Sequence, residues 1–269
     1  MEALQRLGEY FAGRRTRQGL LARRLLGRTV PGDVALADHL ARERRVATRM
    51  DGSLGGDLVR TAWAAWELMD LGHDHQSAGT VRLVGYLLSR LVPASGSPPA
   101  FLDGQALATV PLVLPNGCEF DDPAEALFAA SALALRVVLR ARGDERPAIR
   151  GYIAALRDDE PLWALRAGRR PHDLAAVALG ALALAPLDLR SQLESYTATF
   201  AATQVADGTW PGADLYNVLE AMIATGAPAA NAVVQRAVPA LLARQGSDGA
   251  FDDHEERGLI ALRALLRAS

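Results

Sequence analysis

One pattern recurs five times along the chain and restricts its possible folds more than any other feature. Each copy has a turn glycine, a short linker, an acidic residue and then a helix-forming run rich in Ala and Leu. The glycines are 65, 51, 40 and 41 residues apart, at Gly52, Gly117, Gly168, Gly208 and Gly249. A repeat of this length typically holds one pair of helices, which buries its apolar face only by packing on neighbouring pairs. The pattern therefore predicts a repetitive helical protein.

The acidic residue of each copy stands at a nearly constant distance from its glycine. It comes five residues later in the first three copies, six in the fourth and four in the fifth, at Asp57, Asp122, Asp173, Asp214 and Asp253. A carboxylate at the start of a helix accepts hydrogen bonds from free backbone N–H groups and interacts favourably with the helix dipole. We therefore expect all five acids to open inner helices.

Helix periodicity dominates the segments between the copies, and we find neither strand alternation nor a hairpin signal. Five inner helices and a sixth near "QGLLARRLLG" alternate with outer segments at about 4–12, 31–46, 75–92, 145–157, 189–204 and 229–245. About twelve helices in six inner–outer pairs is the number that closes an (α/α)6 toroid. An open solenoid would need polar terminal repeats, but the last helix is strongly apolar. We predict a single all-α toroid domain over 1–269, with an irregular loop at about 93–121.

Composition excludes several classes of function. The formal net charge of −2 gives no general attraction to nucleic acid, and all 29 basic residues are Arg, a usage typical of a GC-rich bacterial genome. The single Cys118 excludes an internal disulfide or a zinc site with several cysteines. No apolar run reaches the roughly 20 residues that span a bilayer, and the first residues lack the apolar core of a signal peptide. We expect a cytoplasmic bacterial protein.

The fourth and fifth copies carry a more specific motif. "FAATQVADGTW" contains Gln204 and Trp210, and "LLARQGSDGAF" contains Gln245 and Phe251. These stretches resemble the glutamine–tryptophan repeats of squalene–hopene cyclases, related class II terpene cyclases and the β subunits of protein prenyltransferases. The resemblance implies an α/α toroid whose central cavity holds an isoprenoid chain.

In class II cyclases of this family an acidic motif, Asp-x-Asp-Asp, follows a repeat turn and protonates the substrate. "EFDD" occupies the corresponding place here, so the resemblance implies Asp121 as the acid, with Glu119 and Asp122 beside it. Crowded carboxyls cannot all ionise, which leaves a proton available. The alternative from the residues themselves is a helix start, in which Asp122 is the cap and Glu125 completes a capping box. Capping explains Asp122 but neither Glu119 nor Asp121.

Few aromatic residues are available to bind a substrate or to stabilise a carbocation by cation–π contact. The candidates are Trp63, Trp66, Phe128, Tyr216 and Phe101. The long irregular stretch that contains Phe101 is apolar in its second half and is expected to fill a gap in the ring, to cover the cavity or to contact a membrane.

A second acidic run, "DDHEE", resembles the magnesium-binding motif of class I prenyl-diphosphate enzymes. It makes Asp252, Asp253 and Glu256 candidate Mg²⁺ ligands, because carboxylates suit this cation. The alternative is a set of acids that interacts with the dipole at a helix start. "GHDHQ" supplies two histidines in a turn without a third metal ligand in view, and "NGCEF" lacks the sequence of a thioester site.

The leading expectation is a compact class II terpene-cyclase-like enzyme, of the isomerase or lyase type. It would start cyclisation of an isoprenoid by proton transfer in a central apolar cavity and would need no cofactor. The alternatives are a non-catalytic toroid that binds an isoprenoid or a protein, and a magnesium-dependent prenyl-diphosphate enzyme. The expected partner is an isoprenoid small molecule rather than nucleic acid, with peripheral membrane contact left open.

Overall fold

The computed structural model describes residues 2–103, 110–190 and 192–269, with the backbone only at position 189. This part of the chain is mostly helical, as predicted. Its thirteen α-helices are α1 (Glu2–Ala12), α2 (Arg17–Leu25), α3 (Asp33–Ala47), α4 (Leu58–Asp70), α5 (Ala78–Ser89), α6 (Pro123–Arg140), α7 (Pro147–Asp158), α8 (Glu160–Trp163), α9 (Pro171–Leu182), α10 (Leu193–Thr203), α11 (Leu215–Thr225), α12 (Pro228–Leu242) and α13 (Glu255–Ala268). The single-turn α8 was not predicted.

The helices predicted as inner pack against one another in chain order. α2 contacts α4, α4 contacts α6, and the contacts continue through α9 and α11 to α13, which in turn contacts α2. The predicted outer helices lie against this set: α1 contacts α2 and α13, α5 contacts α4 and α6, and α12 contacts α11 and α13. Ala and Leu fill the interfaces, and the small Ala side chains allow the helices to approach closely.

The repeat turns share one backbone geometry. All five turn glycines have a positive φ, between 67° and 87°. In four of the five turns the glycine N–H donates to the carbonyl three residues earlier, as in Gly208 to Val205 at 2.9 Å and Gly249 to Gly246 at 3.0 Å. Glycine is needed here because residues with a Cβ rarely adopt this conformation. The repeat predicted from the spacing is therefore present in the backbone.

The third turn is closed differently. Glu125, which lies on α6 and is buried, accepts a hydrogen bond from the backbone N–H of Arg169, next to Gly168. The capping box predicted for Glu125 on its own helix is therefore not formed. The side chain instead joins the start of α6 to the turn that precedes α9.

Three of the five repeat acids are helix caps, and two are not. Asp57, Asp122 and Asp214 accept hydrogen bonds from backbone N–H groups in the first turns of α4, α6 and α11, as predicted. Asp173 lies inside the first turn of α9, and α13 is capped by His254 rather than by Asp253. The distance from the glycine does not decide which acid is the cap, because Asp173 has the same five-residue spacing as Asp57 and Asp122, and Asp214, at six, is a cap.

The absence of strands was a wrong prediction. β1 (Leu91–Ser95) pairs antiparallel with β2 (Ala100–Leu102), and β3 (Leu112–Val113) pairs antiparallel with β4 (Glu119–Phe120). Both pairs lie in the predicted irregular loop, except that β1 begins at Leu91, within the segment predicted as an outer helix; of the loop, 104–109 falls outside the described residues. The strands are too short for alternation to be visible in the sequence. Packing holds them in place, since β2 and β4 lie against α6 and Tyr152 donates to the carbonyl of Val92 at 2.8 Å.

None of the helices in the described part of the chain combines the length and the apolar character needed to cross a membrane.

Candidate functional site

The predicted acid cluster lies at the surface, where β4 ends and α6 begins. The side chains of Glu119 and Asp121 are exposed, and Asp122 is half-buried in its role as the cap of α6. The carbonyl oxygen of Glu119 accepts a hydrogen bond from the guanidinium of Arg170. The dry surroundings that proton transfer to an alkene needs are therefore not found around Asp121.

Three of the five predicted substrate-binding aromatics belong to the core. Phe101 stacks on Tyr152 with ring centroids 4.4 Å apart, and Phe128 is fully buried on α6. Tyr216 is also fully buried, with the guanidinium carbon of Arg257 4.8 Å from its ring centroid. These three rings fill space between elements, and none of them lines the two clefts that Trp63 and Trp66 line.

The three predicted magnesium ligands do not converge on one point. Asp252 accepts a hydrogen bond from Arg257 at 3.1 Å, Asp253 is exposed, and Glu256 is buried in contact with Arg17. Across 2–103, 110–190 and 192–269 there is no group of three or more His, Cys, Asp and Glu side chains placed to hold a metal ion. A magnesium requirement stays a prediction.

The glutamine–tryptophan motif of the fourth repeat connects a turn to outer helices by hydrogen bonds. The side-chain amide of Gln204 donates to the carbonyls of Gly208 at 2.9 Å and of Val233, on α12, at 3.0 Å. The indole N–H of Trp210 donates to the carbonyl of Phe200, on α10, at 2.8 Å. Both residues are therefore structural, and neither lines the clefts of Trp63 and Trp66.

Trp63 and Trp66, three residues apart on α4, line two clefts between the inner helices. The first, which we call the Trp63 cleft, has a volume of about 30 Å³ and lies among α4, α6, α9 and α11, with the segment 114–116 along one side. The second, the Trp66 cleft, has a volume of about 220 Å³ and lies among α4, α6, α11 and α13. The Trp63 cleft therefore has room for little more than one water molecule, and the Trp66 cleft is somewhat smaller than the roughly 300–1,000 Å³ of most small-molecule sites.

An ion pair separates the two clefts and lines both of them. Arg136 on α6 donates to Glu220 on α11 at 2.7 Å, and the side-chain amide of Asn116 donates to the other oxygen of Glu220 at 2.9 Å. Burial acts to raise the pKa of Glu220, but Arg136 and Asn116 outweigh it and hold the pKa below its ordinary value. Glu220 is therefore a carboxylate at neutral pH.

A second buried ion-pair chain joins four inner helices beside the Trp66 cleft. Arg17 on α2 donates to Glu256 on α13 at 2.7 Å and to Asp70 on α4 at 2.8 Å, and Arg140 on α6 donates to Asp70 at 2.6 Å. Burial acts to raise the pKa of Asp70, but the two arginines hold it below its ordinary value. Charges this deep are stable only because each has a partner.

The two tryptophans connect these charged groups. The guanidinium carbon of Arg17 lies 4.5 Å from the ring centroid of Trp63, and those of Arg140 and Arg136 lie 4.1 Å and 4.7 Å from that of Trp66. Such contacts stabilise a partly desolvated cation by about 0.5–2 kcal/mol. The space among the inner helices, which we call the centre, therefore combines apolar walls with a continuous set of charges, which differs from the purely apolar cavity that was expected.

A buried polar cluster holds the other end of α9 and α11. Asp173 is fully buried, accepts from Asn217 at 3.0 Å and pairs with Arg170 at 2.6 Å. Burial raises its pKa above the ordinary value. Burial also raises the pKa of the Cys118 thiol, so this lone cysteine is a neutral core residue.

Sequence analysis missed the charged residues of the centre, although two signals were present. Trp63, Trp66 and Asp70 follow the spacing of one helix face, and Arg136 and Arg140 are four residues apart on an otherwise apolar helix. Three of the repeat turns have Asp before the glycine, whereas the second has Asn116. The amide at that position is what allows a hydrogen bond to Glu220 in place of a repulsion between carboxylates.

Comparisons with protein-family models, with curated proteins and with solved structures gave no match. The resemblance to cyclase and prenyltransferase repeats therefore depends on the sequence motif alone. A proposal about function has to be based on the clefts and on the charged groups that line them.

Proposed function

We propose that the chain is a closed (α/α)6 toroid that binds a small, largely apolar molecule, such as an isoprenoid, at its centre without catalysing its cyclisation. Two features support closure of the ring. The contacts among the inner helices return from α13 to α2, and α1 lies against both of these helices. The first helix of the chain thus covers the last one, which is the arrangement expected of a toroid.

The repeat geometry supports the same closure in atomic detail. Gln204 donates to Val233 on α12, and Gln245 donates in the same way to Ala3 on α1. A Cβ on Gly208 would lie 2.1 Å from the carbonyl oxygen of Arg236 on α12, and one on Gly249 would lie 2.6 Å from that of Arg6 on α1. In each repeat the two contacted residues are three positions apart, Val233 and Arg236 on α12 and Ala3 and Arg6 on α1. α1 therefore packs on the turn of the fifth repeat as α12 packs on the turn of the fourth.

The observation that carries the binding proposal is the position of the two tryptophans. Trp63 and Trp66 each line one cleft, and Leu133, Val177 and Ile223 are among the apolar side chains that complete the walls. An aromatic ring beside aliphatic walls and a few fixed polar groups is the usual composition of a small-molecule site. The Trp66 cleft, at about 220 Å³, has room for part of an apolar chain.

Cyclisation started by a general acid has less support. Its acid, Asp121, is exposed on the surface, and the groups at the centre are carboxylates paired with arginines rather than protonated acids. The cyclase activity and the magnesium-dependent activity therefore stay predictions from sequence resemblance.

Titration with farnesol, followed by tryptophan fluorescence, tests the binding proposal. The chain has four tryptophans, and Trp163 and Trp210 lie away from the clefts, stacked on Tyr196 and packed edge-on to Phe200. We expect a saturable change in emission that is largely lost in Trp63→Phe or Trp66→Phe and is kept in the matched Trp163→Phe and Trp210→Phe variants.

Truncation gives the corresponding affinity test. Trp66→Ala should weaken farnesol binding at least tenfold, which corresponds to the loss of about 1.4 kcal/mol of contact energy. Unchanged affinity in this variant, or the absence of binding by the wild type, would refute the proposal. Formation of a cyclic product from an isoprenoid, abolished by Asp121→Asn, would instead establish the cyclase function.

A further inference from the structure

Two arginines that pack on Trp66 have N–H groups that lack a protein partner. The Nε atom of Arg136 and the second terminal nitrogen of Arg140 are buried, and neither has a hydrogen-bond acceptor within the described part of the chain. Both side chains are held in position by their other nitrogen atoms, through Glu220 and Asp70. Buried donors without an acceptor are costly, and native proteins rarely keep them without a functional reason.

Arg136 lines the Trp66 cleft, and another arginine enters this cleft from α13. Arg263 is half-buried and lines the cleft opposite α6, and no residue in the described ranges forms a hydrogen bond or an ion pair with its guanidinium. Its charge lowers the pKa of Glu220 only at a distance. Arginine does not lose its proton at physiological pH, so this charge is permanent.

The charges around the centre do not balance. Four guanidinium groups meet three carboxylates, counted over Arg17, Arg136, Arg140 and Arg263 on one side and Asp70, Glu220 and Glu256 on the other. An excess positive charge in a partly desolvated site is stabilised by a bound anion. The excess lies in the Trp66 cleft, because Arg263 is the cation without a carboxylate partner.

We infer that the Trp66 cleft binds an oxyanion, a carboxylate or a phosphate, held by Arg136, Arg140 and Arg263. Planar guanidinium groups are well suited to either anion, since they present N–H donors in a fixed fork. The apolar walls beside the cations, formed by Leu184, Ile223 and Ile260, indicate that the anion is the head of an amphipathic molecule. The apolar part of this inference rests on the proposed function, whereas the anion site is testable by itself.

Calorimetric titration with four probes separates the possibilities. Farnesol carries no charge, farnesoic acid carries a carboxylate, farnesyl phosphate carries a phosphate, and inorganic phosphate lacks the apolar chain. The two charged isoprenoids should bind at least tenfold more tightly than farnesol, and the tighter of the two identifies the head group. Their affinity should fall as the salt concentration rises.

The variant that tests the site is Arg263→Gln, with Arg60→Gln as its matched control. Both changes remove one positive charge, but Arg60 is exposed near the start of α4 and does not line the cleft. Since Arg263 has no partner among the described residues, its replacement leaves no carboxylate unpaired, and circular dichroism should show an unchanged fold. Arg263→Gln should weaken the charged probes about tenfold to a hundredfold and leave farnesol unaffected.

Arg140→Lys gives an independent check. It keeps a cation beside Asp70 but removes the guanidinium N–H that has no partner, so it should weaken the charged probes without changing farnesol binding. Equal affinities for farnesol and for the charged probes would overturn the anion site and leave the proposed function standing. Binding of the charged probes that depends on Arg263, without binding of farnesol, would support the anion site and overturn the proposed function.

Discussion

Replacement of Arg17 by Met tests the charged centre most directly. Arg17 is 4% exposed, and its guanidinium donates to Asp70 at 2.8 Å and to both oxygens of Glu256, at 2.7 Å and 3.3 Å. The side chain thus joins α2 to α4 and α13. Methionine has a similar length and fills the space above Trp63, so the variant removes the charge and the hydrogen bonds with little change in volume.

The expected loss of stability depends on which partners the carboxylates of Asp70 and Glu256 keep in the variant. Asp70 keeps Arg140 at 2.6 Å, but Glu256 keeps only the side-chain amide of Gln18 at 3.0 Å. Removal of one partner from a buried ion pair costs about 3–5 kcal/mol, because it leaves an uncompensated buried charge. For a chain of this size the loss corresponds to a decrease in Tm of about 6–15 °C.

The assay is denaturant unfolding monitored by circular dichroism, with Arg166→Met as the matched control. Arg166 pairs with Glu160 at 2.7 Å, but both side chains are mostly exposed, so the control should lose less than about 1 kcal/mol. The double variant Arg17→Met/Glu256→Gln leaves no charge on the carboxyl group of Glu256 and should recover part of the lost stability.

The pH dependence of the stability difference between wild type and Arg17→Met provides a second test. Since the folded-state pKa of Asp70 is lowered, its contribution is present above the unfolded pKa of about 3.9 and is lost as the pH falls through the folded value. The difference in unfolding free energy between wild type and Arg17→Met should therefore narrow as the pH falls from 7 to below 4. A loss at pH 7 no larger than that of the surface control, or a difference independent of pH, would refute the reasoning.

Two further substitutions test the repeat turns, again by the free energy of unfolding. Gly208→Ala should cost at least 3 kcal/mol, because φ at Gly208 is 86° and a Cβ there would lie 2.1 Å from a carbonyl oxygen of α12. The control is Gly212→Ala, where φ is 71° but no atom lies within 4 Å of a Cβ, and it should cost about 1 kcal/mol. Equal costs would contradict the close approach. Asn116→Asp should cost about 2 kcal/mol at pH 7, because it places a carboxylate beside Glu220. The control Asp207→Asn, at an exposed position, should cost less than about 1 kcal/mol. An unchanged free energy of unfolding in Asn116→Asp would show that the hydrogen bond from Asn116 to Glu220 does not contribute to stability.

The spacing of the turn glycines predicted the repeat and the order of the helices, and these predictions depend on local chemistry. A positive φ at Gly52, Gly117, Gly208 and Gly249 follows from the residue itself, and apolar periodicity marks each helix without knowledge of its neighbours. Capping was predicted correctly at Asp57 and Asp122 for the same reason. Local reasoning failed at Asp173 and Asp253, because the distance from the turn glycine does not determine the residue at which the helix starts.

The acid cluster shows the limit of a resemblance transferred along a sequence. "EFDD" follows a repeat turn at the start of an inner helix, as the family pattern requires, yet Glu119 and Asp121 are exposed. Position along the repeat does not determine whether a side chain faces the centre, because the hairpin of β3 and β4 sets the direction of this segment. Short strands of this kind form only where α6 provides a surface for them.

The sequence by itself determined the helical repeat, its turns and most of its helix starts, since each depends on residues close together in the chain. Only the tertiary structure decided which side chains meet at the centre. Arg17, Asp70, Arg140 and Glu256 come from four different helices and are up to 239 residues apart. Long-range packing brings these side chains together and removes them from water. The same packing places Trp63 and Trp66 in the walls of clefts and leaves Asp121 exposed to solvent.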